Sequence, residues 1–193
     1  IPSTVAHGLD SAPELIIVKV LNQSYPWNVF SASIGNTKYL KLNESDFEAS
    51  NISRWNNTSP TSAVFTIGND GDVNGNGLNY IAYAFHSVDG YSKFGSYDGD
   101  TSNPTFIYTG FRPAFVMIKA TNVAQSWYMF DNKRGNTSGA ASPAILFVDG
   151  SAAEYTTNNS DLYMTFSDNG FQPATAISGM NGTGRSFIYM AIA

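Results

Sequence analysis

The strongest constraint on the fold of this chain is that it nearly repeats itself. Residues 7–37 read HGLDSAPELIIVKVLNQSYPWNVFSASIGNT, and residues 110–137 read GFRPAFVMIKATNVAQSWYMFDNKRGNT. At a shift of 100 positions Pro13 meets Pro113, Ile16 meets Val116, Lys19 meets Lys119, Asn22 meets Asn122, Trp27 meets Trp127 and Phe30 meets Phe130. Further on, NGNGLNYIAYAF at 74–85 resembles NGTGRSFIYMAI at 181–192, at a shift of 107. Matches this dense at fixed spacing indicate an internal duplication. We expect two repeats, roughly residues 7–94 and 95–193, within one domain spanning 1–193.

Each repeat reads as β. ELIIVKVL and AFVMIKAT are short apolar runs with β-branched residues, bounded by Pro and polar residues. WNVF and WYMFD follow a polar turn, which predicts hairpins. SAVFTIG and LYMTFSDNG alternate apolar and polar residues, and NYIAYAF and SFIYMAIA close each repeat. Turn signals (GNT twice, NDGD, NGNG, VDG, SDNG, NGTG) separate the runs. GSYDGDTSNPTFIYTG, at 95–110, reads as strand, loop, strand. The helical signal is confined to NESDFEAS at 43–50, with Asn43 or Ser45 as N-cap, and to GSAAEYTT at 150–157. A repeat of this length does not easily cover both faces of its own sheet. The expected fold is therefore all-β: an antiparallel two-sheet β-sandwich, jelly-roll or lectin-like, built from the two repeats.

Only 13% of residues are charged, so solubility rests on Ser, Thr, Asn and Gly. Net charge is -5, and the ten Lys and Arg are scattered without a basic stripe. A nucleic-acid partner needs such a stripe to displace phosphate counterions, so none is expected. No apolar run approaches the length of a membrane span, and no membrane insertion is expected. IPSTVAHGL has no charged or apolar region of a signal peptide, and it lacks Met, as a fragment or processed product would. Cysteine is absent, which removes disulfides, thiol catalysis and Cys-based zinc sites.

Catalysis needs convergent reactive groups. His7 and His86 have no counterparts in the other repeat and lie in no recognised motif. Asp98 and Asp100 in YDGD, and Glu44 and Asp46 in NESD, sit in turn-like sequence that favours solvation over a glycosidase pair. We expect no enzyme and no catalytic residues. Asp70, Asp72 and Asn74 in DGDVNGNG match the first half of a calcium loop, but position twelve is Ile81, where a bidentate Glu belongs. They are the metal candidates, for Ca2+; the alternative is a plain hairpin turn, and no cofactor is otherwise expected. Aromatic side chains beside Asn and Asp suit sugar stacking. Trp55, Tyr91 and Tyr97 are the ligand-binding candidates; Trp27 and Trp127 repeat with their strands and are expected in the core.

GNTKYLKLN, WNNTSPTSAVFTIG, VNGNGLNYIAYAF, GSYDG and FIYTGFRPAFVMIK together resemble an uncharacterised domain of tailed-bacteriophage virion proteins, over nearly the whole chain. The resemblance implies an all-β domain on the virion surface, in a tail fibre, tail tip or capsid fibre. It supplies no catalytic residues. The expected role is host-surface adhesion, through carbohydrate binding to host surface glycans. The alternative is a purely structural virion component, such as a capsid decoration or joining protein that binds other virion proteins and no ligand. By analogy with other fibre proteins, a homo-oligomer is expected, with a trimer favoured.

Overall fold

Leu15–Val20 is extended because Ile16, Ile17 and Val18 are β-branched and its alternate side chains have two different faces to fill. Its counterpart Phe115–Ala120 has the same pattern. Around these two strands the chain divides into two compact units, Ile1–His86 and Ser87–Ala193. The computed structural model describes residues 1–103, 105–134, 144–156, 163–174 and 178–193.

In the first unit the elements are β1 (Ser3–Ala6), β2 (Leu15–Val20), β3 (Asn28–Ser31), β4 (Lys38–Lys41), β5 (Ala49–Ser50), α1 (Ile52–Trp55), β6 (Val64–Ile67), α2 (Gly71–Asn74) and β7 (Tyr80–Phe85). β5-β4-β3-β2-β7 form one antiparallel sheet, and β1 pairs with β6 separately. The core lies between them: Ile16 and Val18 of β2 and Phe30 of β3 meet Phe65 of β6, Trp55 of α1 and Val73 of α2.

The second unit has β8 (Ser92–Asp98), β9 (Ile107–Tyr108), β10 (Phe115–Ala120), β11 (Tyr128–Asp131), β12 (Ala144–Phe147), β13 (Tyr155–Thr156), β14 (Met164–Ser167), β15 (Gly170–Pro173), α3 (Ser178–Asn181) and β16 (Ser186–Ile192). Its large sheet runs β13-β12-β11-β10-β16-β8, and its small one β14-β15-β9. Val116 and Ile118 of β10, Phe130 of β11 and Phe187 of β16 pack against Phe166 of β14 and Phe171 of β15. The protein is thus all-β, with several antiparallel sheets and three helices of four residues each among the described residues.

The pairings of one unit recur in the other. Ile16↔Phe30 becomes Val116↔Phe130, and Ile16↔Ala84 becomes Val116↔Ala191. Asn22 Nδ2 donates to Gly77 O while its Oδ1 accepts from Asn79 N–H; Asn122 does the same with Gly184 O and Ser186 N–H. The Trp27 N–H donates to Asn43 Oδ1 and the Trp127 N–H to Asp149 Oδ1. Trp127 is buried as expected, and Trp27 is half-buried.

Three local expectations are corrected. Residues 43–50 form turns and the short strand β5, not a helix, because Lys38↔Ser50 and Tyr39↔Ala49 pairing claims the segment's end. Residues 155–156 of the GSAAEYTT segment likewise pair as β13 with β12. DGDVNGNG opens as the helical turn α2, because Asp70 caps it by accepting the Asp72 N–H. The expected repeat boundary at 94/95 would cut β8, which pairs along its length with β16. The second GNT, at 135–137, lies outside the described residues.

Tyr97 of β8 stacks on Phe187 with ring centroids 5.0 Å apart, and its hydroxyl donates to Met180 O at 2.5 Å. Burial raises that hydroxyl well above the ordinary phenol range. The folded state keeps the proton where the unfolded state loses it, so stability falls as pH rises above about 10. Tyr97→Phe removes the bond to a buried carbonyl and should cost about 1–3 kcal/mol at neutral pH. In urea titrations it should also flatten the loss of stability above about pH 10.

Candidate functional site

The small sheet of the second unit presents an outward face unlike anything in the first unit. Ile107 points into the core, so the alternating residues Phe106 and Tyr108 point out; they are 45% and 66% exposed. Tyr108 lies opposite Gly170 of β15. A Cβ on Gly170 would stand 2.7 Å from Phe106 Cζ and 2.2 Å from Ile107 O. Glycine is required there, and it lets the Phe106 ring lie close over the sheet. Gln172 of β15 and Thr165 and Ser167 of β14 continue the same face and are half-buried. The edge is held in place by Asn169, whose carbonyl accepts from the N–H groups of Thr109 and Gly110. Gly110 has φ +85°, a left-handed conformation suited to glycine.

The first unit supplies the control. Val5↔Phe65 of β1 and β6 corresponds to Ile107↔Phe171. The outward neighbours there are Thr4 and Ala6, and Val64 stands where the second unit has Gly170. A sheet of this kind therefore folds without outward aromatics. What marks Phe106 and Tyr108 is this substitution of small residues by rings. TFIYTG at 105–110 against STVAHG at 3–8 carried that signal in the sequence.

The expected ligand contacts are dispersed. Trp55 is not on a loop surface: it is 1% exposed, its indole N–H donates to Lys38 O at 3.0 Å, and its ring meets Phe30 edge-on. Tyr97 is 8% exposed and belongs to the core of its unit. Burial removes both from contact with a soluble ligand. Tyr91 is exposed, on the turn that joins Val88 to Ser92. These three do not converge.

Asp70 and Asp72 do converge, on a cation that the chain itself supplies. Arg54 Nη1 lies 3.1 Å from Asp70 Oδ1 and 2.5 Å from Asp72 Oδ2, and the guanidinium stacks over Tyr39 at 4.6 Å. Asn51 Nδ2 donates to Asp70 Oδ2, and Asn74 Nδ2 donates to Gly68 O. The two carboxylates thus tie α1 to α2. Among the described residues no group of three His, Asp or Glu side chains is placed to hold a metal ion.

The remaining reactive groups are structurally engaged. His7 Nδ1 accepts from Leu9 N–H and its Nε2 contacts Thr61 O; His86 Nε2 lies 3.1 Å from Asp10 Oδ1. Asp98 accepts from the Ser186 hydroxyl, Asp100 from Ser102 N–H, and Glu44 pairs with Lys41.

The fold and this surface define an all-β protein whose distinctive external feature is an aromatic sheet face. The chain belongs to the family described as "Domain of unknown function (DUF7483)", whose model matches residues 1–193. Searches of curated proteins and of solved structures matched nothing.

Arg54→Ala leaves two carboxylates without their cation and should destabilise the chain by about 3–5 kcal/mol in chemical denaturation. Millimolar Ca2+ should leave the thermal midpoint of the unsubstituted chain unchanged, because Arg54 occupies the space between the acids. A calcium-dependent rise in the midpoint would contradict this placement.

Proposed function

We propose that the chain is a non-enzymatic surface domain of a tailed-phage virion, acting in host-surface adhesion by binding glycans on the outward face of β14-β15-β9. The observation that carries the reading is the exposed Phe106–Tyr108 pair over Gly170, at positions where the first unit has Thr4 and Ala6. Sugar rings offer apolar C–H faces to aromatic rings, and hydroxyls to Gln, Thr and Ser side chains. Gln172, Thr165 and Ser167 lie on the same face. A rigid antiparallel support fits a surface that must hold its shape before the ligand arrives.

In place of one sandwich shared by the two repeats, the construction we infer is a sandwich of the jelly-roll or lectin kind in each unit, the two related by internal duplication. In its favour, each unit layers a small sheet on a large one, and the strand order β5-β4-β3-β2-β7 recurs as β13-β12-β11-β10-β16. For location on a tail fibre, tail tip or capsid fibre the support is the resemblance noted above, and for a trimer it is the analogy with other fibre proteins. The rival reading, a capsid decoration or joining protein, is favoured by one observation: among the described residues no strand covers the outer edge of β7.

The test is binding of the isolated chain to a glycan array and to host-cell surfaces. Tyr108→Ala and Phe106→Ala should each weaken binding about tenfold or more. Tyr91→Ala should leave it unchanged. No binding at high protein concentration, or binding indifferent to both substitutions, would remove the adhesion reading.

A further inference from the structure

β7 and β16 hold equivalent places, beside β2 and β10, but their outer edges differ. β16 is flanked by β8 over a register running from Ser186↔Asp98 to Ile192↔Ser92. β7 ends its sheet, and no further strand pairs with it among the described residues. The Leu21 N–H donates to Asn79 O, so the bonded pairs with β2 continue at Lys19↔Ile81 and Ile17↔Tyr83. The peptide groups of Tyr80, Ala82 and Ala84 consequently face the open side. Ala82 and Tyr83 are exposed. Edge strands that stay unpaired are guarded by Lys, Pro or a bulge, and YIAYAF has no Lys and no Pro.

The side chains differ at the same place. Tyr80, Ala82 and Ala84 correspond to Phe187, Tyr189 and Ala191. In the second unit the Tyr189 ring fills the space under the small sheet, edge-on to Phe171 at 5.3 Å. In the first unit Ala82 leaves that space as a partly open cavity of about 210 Å³, lined by Val5, Val18, Phe65, Val73, Tyr80 and Ala82. The cavity wall is fixed, because the Tyr80 hydroxyl donates to Gly71 O and accepts from Gly75 N–H. The residue facing Tyr189 from β8 is Gly95, where a Cβ would stand 2.9 Å from the Tyr189 hydroxyl oxygen. A large residue on the closing strand thus requires a small one on its neighbour. β7 has the opposite half of that arrangement: a small residue, and room for a large one facing it.

The geometry points to β7 as a receptor for an extended segment of another polypeptide chain. The segment adds as a strand where β8 lies in the second unit, and its large aromatic or aliphatic side chain opposite Ala82 enters the cavity. Main-chain bonding supplies general affinity, and the cavity selects the residue type at one position. This surface is built from residues of the first unit alone and the aromatic face from residues of the second, so it stands or falls independently of the adhesion reading.

β8 itself supplies the probe. Two labelled heptapeptides, SKFGSYD and its Gly95→Tyr version, are titrated into the full chain and followed by fluorescence anisotropy. The Gly95→Tyr peptide is expected to bind about tenfold more tightly. Ala82→Tyr places in β7 the residue that β16 already has at this position, fills the cavity from within, and is expected to abolish that preference. Ala84→Pro, checked by circular dichroism, removes an N–H from the open edge while sparing the β2 ladder, and weakens both peptides. Equal affinity for the two peptides, no binding of either at their solubility limit, or a preference that survives Ala82→Tyr would overturn the proposal.

Discussion

Everything in each unit depends on the pairing of its first long strand with its last. β2 meets β7 across six residue pairs, and β10 meets β16 across six. These pairings are non-local, and the chain between them must be folded back before they form. Register is critical, because a slip of one residue would turn Ile16 and Val18, or Val116 and Ile118, away from the core. The amides of Asn22 and Asn122 help to prevent that slip, since each bridges the turn before the closing strand in the same way. A hydrogen-bonded side chain at the start of a strand sets the phase of every pair that follows.

With that pairing in place, the differences between the units become informative. The second unit adds β8 outside β16 and β14 outside β15. It fills its interior with Tyr97, Phe187 and Tyr189, and its core is the larger of the two. The first unit stops at β7 and β6, keeps a smaller core, and braces its loops with the Arg54–Asp70–Asp72 cluster. Among the described residues, neither arrangement brings titratable groups together around an open cleft. What each exposes is a different surface: an aromatic sheet face in one, an open strand edge above an apolar cavity in the other.

Much of the scaffold was legible in the sequence, because strand-forming runs recur at fixed shifts and core packing preserves residue type. Ile16 and Val116, or Phe30 and Phe130, announce their pairing by repeating. The candidate surface was less legible for the same reason. Repetition reports the shared core, whereas the candidate surfaces sit where the two units diverge, at Thr4 against Phe106, Ala6 against Tyr108 and Ala82 against Tyr189. Trp55 misled because a tryptophan amid Asn, Ser and Thr resembles a loop residue. Its burial depends on α1 folding under β4 and β6, a tertiary fact that local polarity does not encode. Asp70 and Asp72 misled because their cation, Arg54, lies more than a dozen positions away in the chain, and ion pairs at that separation leave no spacing signature.

The central claim is that the two closing strands have unlike edges, one covered by β8 and one open. Amide hydrogen exchange in the unliganded chain tests it most directly, read residue by residue. The account predicts that the amides of Phe187, Tyr189 and Ala191 exchange slowly while those of Tyr80, Ala82 and Ala84 exchange far faster, within strands whose other edges are equally paired. Comparable protection along both edges would contradict it.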